Sequence, residues 1–198
     1  YLRNTIILLV LNILAQVFAS SFVAYGLSRI RWPGRNLVFV VILSTVMLPG
    51  QVTMIPQFLI WRELGMYNTW LPLWLPSLFG SAFNIFLLRQ FFMTLPKDIE
   101  DAARIDGCGY FGTYWRIMLP QIKPALAAIA VFQFMGTWNN FMGPLIYISS
   151  DRLAPLALGV YTLQTVHRTS WAMLMAASAL MALPTILVFL FAQKYFIK

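Results

Sequence analysis

One cysteine, one histidine and six acidic residues in 198 positions leave little conventional chemistry to this chain. The lone Cys108 excludes an internal disulfide. The lone His167 excludes a metal site of clustered histidines. The two stand in different predicted loops, so they do not form a nucleophile–base pair. No Gly-Lys-Ser/Thr run occurs, which excludes a phosphate-cradling P-loop. If ATP drives this protein, another chain binds it. Charge is also scarce: 10% of residues, against roughly 25% in soluble domains. The alternating segments of about ten residues that mark a β-barrel are absent too.

What the chain has is hydrocarbon. Sixty per cent of its residues are hydrophobic, in runs that predict an all-α, multi-span membrane protein. Five spans are expected, at about 4–28, 36–61, 69–93, 124–148 and 171–194. The first run is far longer than a signal-peptide core. The formal charge of +8 sits at span ends, which points to topology control and phospholipid contact and away from nucleic acid. Ten basic residues fall on one side: Arg29, Arg31, Arg35, Arg89, Lys97, Arg104, Arg116, Lys123, Lys194 and Lys198. Four fall on the other: Arg3, Arg62, Arg152 and Arg168. The richer side, including the C-terminus and the 94–120 segment, is expected to be cytoplasmic, in a bacterial or archaeal cell membrane. Tyr1 then lies outside, and an odd number of spans, most simply one, is expected upstream. Pro49, Pro56, Pro72, Pro76, Pro144 and Pro184 should bend their helices. Ala172, Ala176, Ala179 and Ala182 form a small-residue stripe that reads as helix packing.

The exception to all this is the segment Pro96-Lys97-Asp98-Ile99-Glu100-Asp101-Ala102-Ala103-Arg104-Ile105-Asp106-Gly107. It holds four of the six acids. Asp98 and Asp101 have the spacing of a capping box, with Asp in place of Glu or Gln. The early acids suit the positive end of a helix, and Gly107 a C-terminal stop. Ile99, Ala102 and Ala103 share one face, on which the alanines allow close approach of a partner. Tyr110, Phe111, Tyr114, Trp115 and Met118 then recur at helical spacing as an interfacial aromatic stripe ended by Pro120.

Asp101-Ala102-Ala103, then Gly107, then Ile117, Leu119 and Pro120, resembles the EAA signature of permease subunits of binding-protein-dependent ABC importers. Tyr25-Gly26-Leu27-Ser28-Arg29, Pro33-Gly34-Arg35, Phe86-Leu87-Leu88-Arg89-Gln90-Phe91-Phe92 and Trp138-Asn139-Asn140-Phe141 agree with the carbohydrate branch, which includes the smaller membrane subunit of the maltose transporter. The resemblance runs over the whole chain. It implies a type I importer transmembrane domain over 1–198 with a cytoplasmic coupling segment at 94–120. It implies a second permease, two ATP-binding subunits that hold the ATP and magnesium, and an external solute-binding protein that delivers a sugar. The chain itself would catalyse nothing and bind no cofactor. Glu100, Asp101, Ala102, Ala103, Asp106, Gly107, Ile117, Leu119 and Pro120 would form the ATPase-coupling site. The family glutamate aligns with Asp101, one methylene shorter, beside Glu100. Either the contact reaches less far or Glu100 takes part.

Intramembrane polar residues are the candidates for a substrate pathway. Asn12, Gln16, Gln51, Asn84, Gln133, Asn139 and Asn140 qualify. Sugars want amide hydrogen bonders beside aromatic rings, which favours Asn84, Gln133, Trp138, Asn139 and Asn140. The loop at about 149–170, with Tyr161, His167 and Arg168, is expected to face the binding protein. Other readings stay open. An importer of another organic solute, such as glycerol phosphate, fits the same residues. An ion-coupled transporter would put paired ionisable groups inside spans, where this chain has essentially none. A membrane scaffold would tolerate a bulky residue at Ala103.

Overall fold

The computed structural model describes residues 1–165 and 171–196. Every regular element among them is helical. The first helix, α1 (Leu2–Ser28), is about 40 Å long and is long and apolar enough to cross a hydrocarbon layer unaided. The 71–94 stretch forms a second candidate crossing, through α4 (Leu71–Trp74), a 3-10 turn (Leu75–Phe79), a step at Gly80 and Ser81, and α5 (Ala82–Thr94). The last, α12 (Trp171–Phe196), is the third.

Two expected spans are not straight. The 36–61 span is broken into α2 (Arg35–Ser44, extended by the turn Thr45–Met47) and α3 (Gly50–Glu63), bent by 100°. Pro49 is the cause. It lacks an N–H and forces Leu48 out of the helical region, to ψ 115°. The 124–148 span also ends early: α9 runs Lys123–Trp138, and a separate α10 (Met142–Tyr147) follows. Asn140 makes the stop, because its Oδ1 accepts the Gly143 N–H at 3.1 Å. The 149–170 segment is not a plain loop either, since it contains α11 (Leu156–Thr165). His167, Arg168 and Lys198 lie outside the described residues. The alanine stripe of α12 is exposed in this chain; tight packing falls instead on α1, through Ala15, Ala19 and Ala24.

The larger of two buried clusters gathers about the C-terminal part of α1; a smaller one joins Ile148, Ala154 and Leu158. In the larger, Tyr25 and Leu27 of α1, Leu88 and Phe92 of α5, and Ile122 and Ile129 beside and within α9 pack around Tyr114 and Met118. Buried polar groups tie α1 to its neighbours. Asn12 donates to the Leu73 carbonyl at 3.2 Å and accepts from Ser77 at 2.5 Å. Asn4 donates to the carbonyls of Arg152 and Ala154, and Thr5 Oγ1 accepts the Leu156 N–H. Gln16 donates to Ser20 at 2.9 Å. Ser21 and Tyr114 share a buried hydroxyl pair at 2.8 Å. Tyr114→Phe is expected to lower unfolding free energy by about 0.5–1.5 kcal/mol, because one buried hydrogen bond is lost while Ser21 keeps its bond to the Phe18 carbonyl at 3.0 Å. Chemical denaturation in detergent measures it, and the Ser21→Ala/Tyr114→Phe double variant should recover part of the loss.

Candidate coupling interface

The acidic segment folds as α6 (Asp98–Ile105). Pro96 ends the preceding helix by holding Leu95 extended, at ψ 140°. Asp98, Glu100 and Asp101 lie in the first turn and Arg104 in the last, each at the favourable end of the helix dipole. The expected capping box does not form. Lys97 occupies the N-cap position in a helical conformation, so Asp98 is already inside the first turn and makes no side-chain cap. The C-terminal stop does form. Gly107 adopts φ +78°, its N–H donates to Arg104 O, and Cys108 N–H reaches back to Ala103 O at 2.8 Å. That is a Schellman closure, which favours glycine at this point.

Residues of α6 divide sharply by face. Glu100 and Ala103 are buried. Glu100 turns into the protein, with its Oε1 3.6 Å from Arg29 Nε, and the two side chains are only 9% and 6% exposed. Asp101 turns outward, its side chain 64% exposed beside Arg104 at 3.8 Å. Asp98, Ala102, Ile105, Asp106 and Gly107 are exposed as well. The pairing of Ala102 with Ala103 on one partner-facing surface is therefore corrected: Ala103 seats α6 on its own chain, and only Ala102 faces out. Ile105 is 87% exposed and completes an outward patch with Asp101 and Ala102. Sequence reasoning passed over Ile105 as a site residue. Its one signal is an aliphatic side chain on an otherwise polar face.

The aromatic stripe also divides. The 110–121 stretch passes through α7 (Tyr110–Gly112), a π-helical stretch (Thr113–Met118) and α8 (Leu119–Gln121). Leu119 N–H donates to Tyr114 O, one residue beyond the α-helical partner. Tyr114 and Met118 enter the core, while Tyr110, Phe111 and Trp115 stay exposed. Only the latter three fit an interfacial belt. Ile117 and Leu119 are half-buried and Pro120 is exposed, all on this supporting helix and none on α6. A notch of about 190 Å³ lies beside α6, lined by Tyr25, Glu100, Arg104, Cys108, Tyr110 and Thr113.

The pathway candidates do not share one cavity. Asn84 is buried within the bundle. Trp138 is buried, with its indole N–H bound to Met181 O at 2.9 Å. Asn140 borders a narrow void with Asn12, Leu73 and Thr137. Gln133 donates to Thr137 at 3.1 Å, and Asn139, exposed, donates to Met135 O at 2.9 Å. Phe132, Gly136 and Asn139 share an exposed face of α9, with Phe132 edge-on to Phe83 at 6.0 Å. Sequence reading also missed Asn68. It sits at φ 56° and accepts the N–H groups of Ser149 and Ser150. Among the described residues no cluster of three or more His, Cys, Asp or Glu could hold a metal ion.

Residues 16–198 match the family described as "Binding-protein-dependent transport system inner membrane component". The chain is 36% identical over 199 residues to "Probable ABC transporter permease protein YurM" of Bacillus subtilis, covering 100% of this chain and 66% of that protein. It is 37% identical to "Arabinooligosaccharides transport system permease protein AraQ" of the same organism, over 98% of this chain and 69% of AraQ. It is 35% identical to "sn-glycerol-3-phosphate transport system permease protein UgpE" of Yersinia enterocolitica, over 100% of this chain and 70% of UgpE. A chain of the crystal structure of a bacterial ABC transporter involved in the import of the acidic polysaccharide alginate superposes with a TM-score of 0.85 at 28% identity, covering 98% of this chain and 73% of that one. The chain thus spans about two thirds of the length of these proteins.

Proposed function

This chain belongs to the family of binding-protein-dependent transport system inner membrane components, and from that membership we propose that it is the permease subunit of an ABC importer that passes a sugar across the membrane. ATP is hydrolysed, with magnesium, on two separate subunits. A second, related permease completes the pore, and an extracytoplasmic binding protein delivers the solute. The chain does no covalent chemistry. Its C-terminus and the 94–120 segment face the cytoplasm in this reading, which the ten-to-four split of basic residues supports.

The observation that carries this reading is the outward patch of α6. An exposed acid, a small side chain and an exposed aliphatic group lie within two turns, on a helix whose other face is buried through Glu100 and Ala103. Such a knob enters a cleft closely at Ala102, buries Ile105 and directs Asp101 to a basic group. Ala102→Cys, labelled with a photo-crosslinker in the assembled complex, is expected to capture an ATPase subunit. Crosslinks only to lipid or to this chain would overturn the reading.

For the solute we favour the exposed α9 face, with Gln133 at its edge and Phe83 alongside, over Asn84 and Trp138, which are buried in the bundle. The face offers amides and rings but no Lys or Arg, as an uncharged polyhydroxyl ligand prefers. A glycerol-phosphate reading draws on UgpE. The two separate in liposomes. Arabino-oligosaccharides should stimulate ATP hydrolysis more than glycerol 3-phosphate, and Asn139→Ala should reduce import by about 5–10-fold, the loss of one polar contact. Stimulation by glycerol 3-phosphate alone would select the second reading.

A further inference from the structure

The buried face of α6 holds a contact that docking does not use. Arg29 stands at the C-terminal cap of α1. Its Nη2 donates to the carbonyls of Phe92 and Leu95, the last turn of α5 and its cap. Its Nε faces Glu100 Oε1 of α6. One guanidinium therefore joins the ends of two spans to the middle of α6. Both facing atoms are buried, and neither has a hydrogen-bond partner. At 3.6 Å the pair is held by charge, not by a directional bond, so it tolerates tilt while resisting separation.

We propose that the Arg29–Glu100 pair is the strut by which a displacement of α6 is carried into α1 and α5. The proposal rests on the permease reading above. Glu100 and Arg29 are positioning residues, since neither belongs to the outward patch or the α9 face. An apolar contact such as Ala103 can slide under load. Separating opposite charges in a dry site leaves both unsolvated, so α6 pulls Arg29 with it. Arg29 in turn holds the end of α5, and Tyr25, Leu88 and Phe92 of the two helices belong to one packed core, which moves as a block.

The test uses the full-length chain in its purified complex, reconstituted with its binding protein. Glu100→Gln and the double variant Arg29→Met/Glu100→Met are compared with wild type and, for the midpoint, with Glu100→Ala. ATPase subunits retained, thermal midpoint and solute imported per ATP hydrolysed are measured. Both variants are expected to retain the ATPases and to import roughly tenfold less per ATP, the equivalent of about 1.4 kcal/mol of lost coupling. The double variant, with apolar side chains filling the site, should recover part of the midpoint lost in Glu100→Ala, the Phe92 and Leu95 carbonyls having lost Nη2, and remain uncoupled. Coupling that recovers together with the midpoint would overturn the proposal and reduce the pair to a fold contact. Wild-type import per ATP in Glu100→Gln would overturn it as well. Loss of ATPase from Glu100→Gln would overturn it by assigning Glu100 to docking. Failure of the docking reading itself registers separately, in the Ala102→Cys crosslinks.

Discussion

Asp101→Arg is expected to abolish ATPase association, lowering affinity by about 100-fold or more, while leaving the fold of this chain intact. A cleft that accepts an anionic helix presents positive charge or N–H donors, and a like charge placed there costs several kcal/mol. Every 1.4 kcal/mol is about tenfold in affinity. Within the chain the change is cheap. Asp101 is exposed, and its partner Arg104 forms a surface pair, a contact generally worth about 0–1 kcal/mol. Co-purification with a tagged ATPase subunit, beside a thermal melt of the isolated chain, reads both effects. Wild-type stoichiometry in Asp101→Arg would remove this residue from the interface.

Glu100→Ala, one residue away, should do the opposite. It leaves the Arg29 guanidinium buried opposite an apolar gap, and removing one member of a buried pair costs about 3–5 kcal/mol. Unfolding free energy should fall by that amount in a denaturant titration, and expression should fall with it. Asp98→Ala, on the exposed face, should stay within about 0.5 kcal/mol of wild type. Equal stability of the two variants would show that the Arg29–Glu100 contact carries no net weight.

The contrast between these neighbours shows what sequence could and could not read. Adjacent helical residues point about 100° apart. Either Glu100 or Asp101 could have faced outward, depending on how α6 rolls on its support. The roll is set by Arg29, about 70 positions earlier in the chain, and by the supporting helix, where π-helical winding turns Tyr114 inward. Neither constraint is local. The same holds for Ala102 and Ala103, which look equivalent in sequence and end on opposite faces. The break at Pro49 was legible as a candidate; the stop at Asn140 was not, since Asn140 stood only among the pathway amides. The severity of the Pro49 break was not legible either, because proline is tolerated in spans whenever neighbours satisfy the freed groups. The polar pathway candidates failed to converge for a related reason. An amide inside a membrane protein has its own hydrogen bonds to fill, and Asn12, Gln16 and Asn140 fill theirs within the fold.

Sequence alone determined the solvent, the all-helical class and the place of the acidic helix α6. Long apolar runs must enter a bilayer, their backbones must close hydrogen bonds as helices, and a cluster of acids cannot follow them in. Tertiary structure alone decided which acid faces out, where the spans break and which amides are already occupied. Those outcomes depend on contacts between residues far apart in the chain, and no local pattern records them.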